Sequence, residues 1–158
     1  MATVYVETSV VSYLTARPSR SVVLAAHQTL TQAWWRQRAS FDLRVSQLVL
    51  DEAADGNAAM AARRLKALTG IPILALTTPA TRVAAALVVA GALPRKAVVD
   101  AFHIGIAAAH QVDFLLTWNC RHLANAAMRG TIERVCRDAG LVPPVICTPE
   151  ELPGEEPS

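Results

Sequence analysis

Cysteine is scarce in this chain of 158 residues: Cys120, Cys136 and Cys147 are an odd number with no C-x-x-C spacing. That argues against both a disulfide framework and a zinc cluster, and it fits a reducing compartment. Aromatic residues make up 5% and charged residues 18%, against 53% hydrophobic, including 29 alanines. So apolar a chain must collapse, which excludes disorder over most of its length. One domain is expected, burying roughly 70% of the unfolded chain's surface without disulfides or structural metal. Long apolar runs are also missing: charge, Pro or Gly cuts each one before the ~20 residues of a membrane span. Met1–Tyr5 carries no basic stretch leading into an apolar one, so no signal peptide is expected. The expected location is cytoplasmic, with no membrane partner.

Several motifs are absent. There is no G-x-x-x-x-G-K-S/T phosphate loop, G-x-G-x-x-G fingerprint, G-x-S-x-G elbow or H-E-x-x-H helix. Phosphate-loop hydrolysis, dinucleotide redox chemistry, serine hydrolysis and zinc proteolysis lose their usual support. Net charge is only +2, yet Glu150, Glu151, Glu155 and Glu156 all lie in the last nine residues. Without them, Met1–Thr148 carries 15 basic against 9 acidic residues. A basic body beside an acidic tail is a hint of nucleic-acid contact. The expected organisation is one domain over residues 1–148 and a flexible, acidic, Pro-rich tail over 149–158.

What is present alternates between strand and helix signals. Thr3–Val6, Leu43–Ser46, Gly70–Leu76, Val112–Trp118 and Val145–Cys147 read as strands. Between them, Ser21–Arg38, Gln47–Ala54, Ala58–Leu68, Ala80–Ala90 and Arg95 to His110 read as helices, and a short helix follows Ser9. Asn119–Met128 and Thr131–Ala139 read as two more, separated at Gly130. In Ser21–Arg38 the apolar stripe is read as Val22, Val23, Ala26, Leu30, Ala33 and Trp34. Of the Trp34–Trp35 pair, one ring can enter the core while the other offers a partner or dimer surface. The expected fold class is α/β: a mostly parallel central sheet with helices on both faces. Ligands in such folds gather at the carboxyl ends of strands, which singles out Glu7, Ser46 and the Thr117-Trp118-Asn119 turn.

Against this apolar background, three carboxylates stand out. Glu7 ends the first strand, Glu52 follows Leu48-Val49-Leu50-Asp51, and Asp100 lies between Ala97-Val98-Val99 and Ala101-Phe102. Burying a carboxylate is costly unless it is paired or metal-bound, and oxygen ligands of this kind favour Mg²⁺ or Mn²⁺. Each acid also has an ordinary role open to it. Glu7 can favour the positive end of the following helix, Glu52 can sit on a solvated face, and Asp100 can pair with Lys96 four residues earlier. His103, three residues after Asp100, is expected to be packed and hydrogen-bonded rather than a ligand. Arg121 is a candidate phosphate contact, with Arg17, Arg20, Arg95 and Lys96 weaker candidates along an RNA track.

Four segments, in this order, resemble the PIN-domain family of ribonucleases, in particular the VapC-type toxins. They are Val4-Tyr5-Val6-Glu7-Thr8-Ser9-Val10, Ser46 with Glu52, Asp100-Ala101-Phe102-His103-Ile104, and Leu115-Leu116-Thr117-Trp118-Asn119. The resemblance spans nearly the whole chain and implies a PIN-like three-layer sandwich. It also implies a metal-dependent endoribonuclease acting on RNA as the toxin of a type II toxin–antitoxin system, with a cognate antitoxin and a homodimer. Carried over residue by residue, Glu7, Glu52 and Asp100 match the metal-holding acids, for Mg²⁺ or Mn²⁺. Thr8 or Ser9 matches the hydroxyl that orders the first turn, and Thr117 and Asn119 match the polar turn near the fourth site residue. Two departures are visible: Glu7 stands where the family usually has Asp, and Asn119 brings no charge where a fourth acid is usual. The uncharged Asn119 keeps open an alternative, a PIN-like module that binds RNA or an antitoxin with little turnover.

Overall fold

The computed structural model describes residues 1–154. Twelve elements follow one another as β1 (Thr3–Val6), α1 (Thr8–Thr15), α2 (Val22–Arg36), β2 (Asp42–Ser46), α3 (Gln47–Ala53), α4 (Ala58–Leu68), β3 (Ile73–Leu74), α5 (Thr78–Val89), α6 (Val98–Ala109), β4 (Phe114–Leu116), α7 (Ala126–Asp138) and β5 (Val145–Cys147). Single 3₁₀ turns form at Arg38–Ser40 and Arg95–Ala97. The five strands make one sheet in the order β3-β2-β1-β4-β5. Every pairing is parallel; Val4, for example, faces Leu43 on β2 and Phe114 on β4.

β1 lies at the centre with Val4, Tyr5 and Val6 fully buried. A central parallel strand is covered on both faces, which is why it reads as a continuous apolar run rather than an alternation. Right-handed crossovers put α1–α4 on one face and α5–α7 on the other. This agrees with α1 packing on α2, α3 and α4, and with α5 packing on α6 and α7. The α/β three-layer arrangement expected from the sequence is the one found.

Several boundaries differ from the sequence reading. Only Ile73–Leu74 pair as a strand in the Gly70–Leu76 stretch. Residues 119–125 form turns rather than a helix, and α7 runs through Gly130 without a break. The buried stripe of α2 is Gln28, Thr31 and Trp34, while Val22 and Val23 are exposed. Polar contacts explain this choice. Gln28 Nε2 donates to the Arg17 carbonyl at 2.9 Å, and Thr31 Oγ1 accepts from Trp118 Nε1 at 2.7 Å. Trp34 is core, stacked on Phe41, whereas Trp35 is partly exposed beneath the Arg38 guanidinium.

The segment expected to be a loose tail from residue 149 is tied down as far as Gly154. Leu152 is buried in the core, Glu151 Oε1 accepts from Thr148, and Gly154 N donates to Gln37 Oε1 at 3.0 Å. Glu155 and Glu156 lie outside the described residues. All three cysteines are free thiols. No helix among the described residues is long and apolar enough to cross a membrane.

Candidate active site

The order β3-β2-β1-β4-β5 reverses direction between β1 and β4, the switch point at whose carboxyl strand ends ligands of parallel sheets gather. The residue after β1 is Glu7 and the residue after β4 is Thr117, and their side chains meet there. Glu7 Oε1 accepts from the hydroxyls of Thr117 and Ser9, both at 2.5 Å, and Oε2 accepts from Ser9 N at 2.9 Å. Glu7 is therefore the N-cap of α1 as well as a buried carboxylate, 5% exposed. The ordinary helix-terminus role open to it is filled, and one lone pair on Oε2 has no protein donor.

Each hydroxyl has a single proton, and both protons go to Glu7. Ser9 and Thr117 can then only accept from other groups: Trp118 N donates to Ser9 Oγ at 2.8 Å, and Asn119 N to Thr117 Oγ1 at 2.9 Å. These bonds pin the turn after β4 to the start of α1. Trp118 anchors it further, stacked on His27 with ring centres 4.1 Å apart.

Glu52 comes from α3, which Ser46 caps at the end of β2. Its Oε1 accepts from the Thr8 hydroxyl at 2.8 Å and meets His103 Nε2 at 2.7 Å. Burial disfavours its ionisation, but the hydrogen bond and charge of His103, with the Thr8 hydroxyl, outweigh that and hold the carboxyl below its ordinary range. His103 itself is fully buried, with Nδ1 at 2.6 Å from the Tyr5 hydroxyl, which in turn lies 2.6 Å from Ser46 Oγ. Burial pushes the Tyr5 phenol far above its usual range, so it stays a neutral link in this relay. His103 is thus the packed, hydrogen-bonded histidine expected, with both ring nitrogens engaged.

Asp100 lies in the first turn of α6. Its Oδ2 accepts from Asn119 Nδ2 at 3.3 Å and meets His122 Nδ1 at 3.1 Å. Among the described residues no ion pair joins it to Lys96. The side-chain carbonyl of Asn119 accepts from His122 N at 3.1 Å. The side chain therefore positions Asp100 and the turn. Arg121 is exposed and makes no ion pair among the described residues.

Among the described residues, Glu52 and Asp100 each have one oxygen engaged by protein groups and the other without a partner, whereas both Glu7 oxygens accept from protein donors and acceptor capacity remains only on Oε2. Glu7, Glu52 and His103 form the tightest group, with one potential ligand atom from each within 4.8 Å of the others. Asp100 stands outside that trio, linked to Glu7 through Asn119 and Thr117. Two carboxylates within 4.8 Å repel by about 3 kcal/mol at an effective dielectric of 20. His103 offsets part of this for Glu52, but no cationic side chain reaches Glu7 among the described residues. The donor set therefore fits a divalent cation.

No family model matches the chain, and neither curated proteins nor solved structures give a match.

Of the residues singled out in the sequence, the structure brings Glu7 together with Ser9 and Thr117, Glu52 with Thr8, and Asp100 with Asn119. Sequence reasoning missed the Tyr5 phenol, because Tyr5 sits inside an apolar strand and reads as core. It also missed the Asp100–His122 contact, which joins residues from two elements. The one available signal was His122 lying three residues beyond Asn119.

Proposed function

We propose that the protein is a divalent-cation-dependent endoribonuclease of the PIN-domain, VapC type, with Glu7, Glu52 and Asp100 holding Mg²⁺ or Mn²⁺. The observation that carries this reading is the approach of Glu7 and Glu52 at the carboxyl ends of the strands, with Asp100 joined to Glu7 through Asn119 and Thr117. A divalent cation, when bound, supplies a Lewis acid for phosphate oxygens and for water. The chain supplies the positioning. Ser9 and Thr117 fix Glu7, Thr8 and His103 fix Glu52, and Asn119 and His122 fix Asp100, so none must reorganise when substrate arrives. A carboxyl held below its ordinary range is a weak proton acceptor at neutral pH, so Glu52 suits a ligand better than a general base.

The sequence resemblance extends the proposal to the toxin of a type II toxin–antitoxin pair, acting as a homodimer and restrained by an antitoxin protein. The second reading, a module that binds RNA or an antitoxin without turnover, is favoured by Asn119, whose amide donates to Asp100 where a fourth acid would add charge. Incubating purified protein with single-stranded RNA and Mg²⁺ or Mn²⁺ separates the two. Cleavage is expected, with loss under EDTA and a fall on the order of 100-fold or more in Asp100→Asn. Binding without cleavage would select the second reading, and full cleavage by Asp100→Asn would remove Asp100 from the site.

A further inference from the structure

Beside the acidic cluster lies a cavity of about 500 Å³ between residues 91–96, ahead of α6, and residues 121–128, at the start of α7. Lys96, Arg121, His122 and Asn125 contribute its polar lining, and Pro94, Met128 and the buried Leu93 its apolar lining; no carboxylate among the described residues lines it. The volume lies in the range of small-ligand sites. Lys96 and Arg121 are exposed, and neither is in an ion pair among the described residues. With no acid on the cavity to neutralise them, both cations are available to an anion. His122 belongs to both places, since it lines the cavity while its Nδ1 lies 3.1 Å from Asp100 Oδ2. The cavity is therefore one side chain away from the carboxylates.

We infer that this cavity is a nucleotide subsite for single-stranded RNA, taking the residue next to the bond that is cut; the inference rests on the ribonuclease reading above. Lys96 and Arg121 hold the phosphate, and the exposed Pro94 and half-buried Met128 receive the face of the sugar and base. The physical need is plain: an acidic centre repels a polyanion, so the strand requires cationic contacts immediately outside it. Arg121 suits a phosphate because its planar fork offers two parallel donors, while Lys96 adds a point charge. An apolar wall beside the cations favours a nucleotide over a bare inorganic anion. It also favours an unpaired strand, whose base is free to leave its stack.

Equilibrium binding of a fluorescein-labelled single-stranded RNA, read by anisotropy in EDTA over a salt series, tests the inference without relying on cleavage. Lys96→Ala and Arg121→Ala are each expected to weaken binding about 5- to 10-fold. Each should also lower the slope of log affinity against log salt by about 0.7, the value for one phosphate contact on a single strand. Arg121→Lys should keep the slope, Met128→Ala should weaken binding with the slope unchanged, and Arg63→Ala on α4 should match wild type. All these positions are exposed or partly exposed, so the variants should fold, which circular dichroism would verify. Wild-type affinity and slope in both Lys96→Ala and Arg121→Ala, in a protein that still cleaves RNA, would overturn the subsite alone. Failure of the wild-type chain both to bind and to cleave RNA would overturn the subsite and the ribonuclease reading together.

Discussion

Glu7 illustrates how one residue serves the fold and the site at once. As N-cap it satisfies Ser9 N, and as a buried acid it depends on two hydroxyl donors. Thr117→Val, close to isosteric, removes one of those donors and leaves Asn119 N without its acceptor. An unmet buried polar group costs about 1–3 kcal/mol, so denaturant unfolding of Thr117→Val should show a loss in that range. An unchanged midpoint would mean that water replaces the hydroxyl. The thiols give a second check at this scale. Burial pushes Cys136 up to about 11 and Cys147 up to about 12; desolvation and Glu151 also raise Cys120, but Cys120 is exposed and so open to reagent. The thiolate is the reactive form, so an aromatic disulfide reagent near pH 8 should titrate one fast thiol in the native protein and two more after denaturation. Three fast thiols would contradict the packing around β5 and α7. At residue scale much of the site was legible, because acids in an Ala-rich chain are conspicuous. Tyr5 was not, since a phenol and a phenyl ring look alike in an apolar strand until the partner of its hydroxyl is known.

Elements were legible where local chemistry marks their ends. Ser21, Asn57 and Thr77 accept from the backbone at the starts of α2, α4 and α5, as their residue types suggest. They were misread where a tertiary contact decides. Gly130 reads as a break, yet it sits inside α7 with open space around it. Gly105 reads as an ordinary helix residue, yet a Cβ there would lie 2.3 Å from the Ala80 carbonyl oxygen on α5. The two glycines should respond to alanine with opposite signs. Gly130→Ala should stabilise by about 0.5–1 kcal/mol through helix propensity. Gly105→Ala should destabilise by about 1–3 kcal/mol, because α5 and α6 must separate. Thermal or denaturant melts decide it, and stabilisation by both would mean that the two helices do not approach closely. The stripe of α2 was misread for a related reason: Gln28 and Thr31 are buried by hydrogen bonds that periodicity of apolar residues does not register.

At the scale of the whole molecule, strand order makes the site. The acids lie far apart in sequence, at residues 7, 52 and 100, and nothing local draws them together. They converge because β1 is central, β2 and β4 flank it, and the chain reverses its progress across the sheet between β1 and β4. Alternation of strand and helix signals was enough to expect a parallel sheet, but the order of its strands comes from long-range packing that a single sequence does not display. The central claim is that this convergence creates a binding site for a divalent cation. Calorimetric titration of Mn²⁺ into metal-free protein, with wild type compared with Glu7→Gln, Glu52→Gln and Asp100→Asn, measures it most directly. The account predicts one tight site in the wild-type chain and affinity lowered on the order of 10- to 100-fold or more in each variant, since every substitution removes a charged oxygen ligand. No uptake of Mn²⁺ by the wild-type chain, or equal uptake by all three variants, would contradict it.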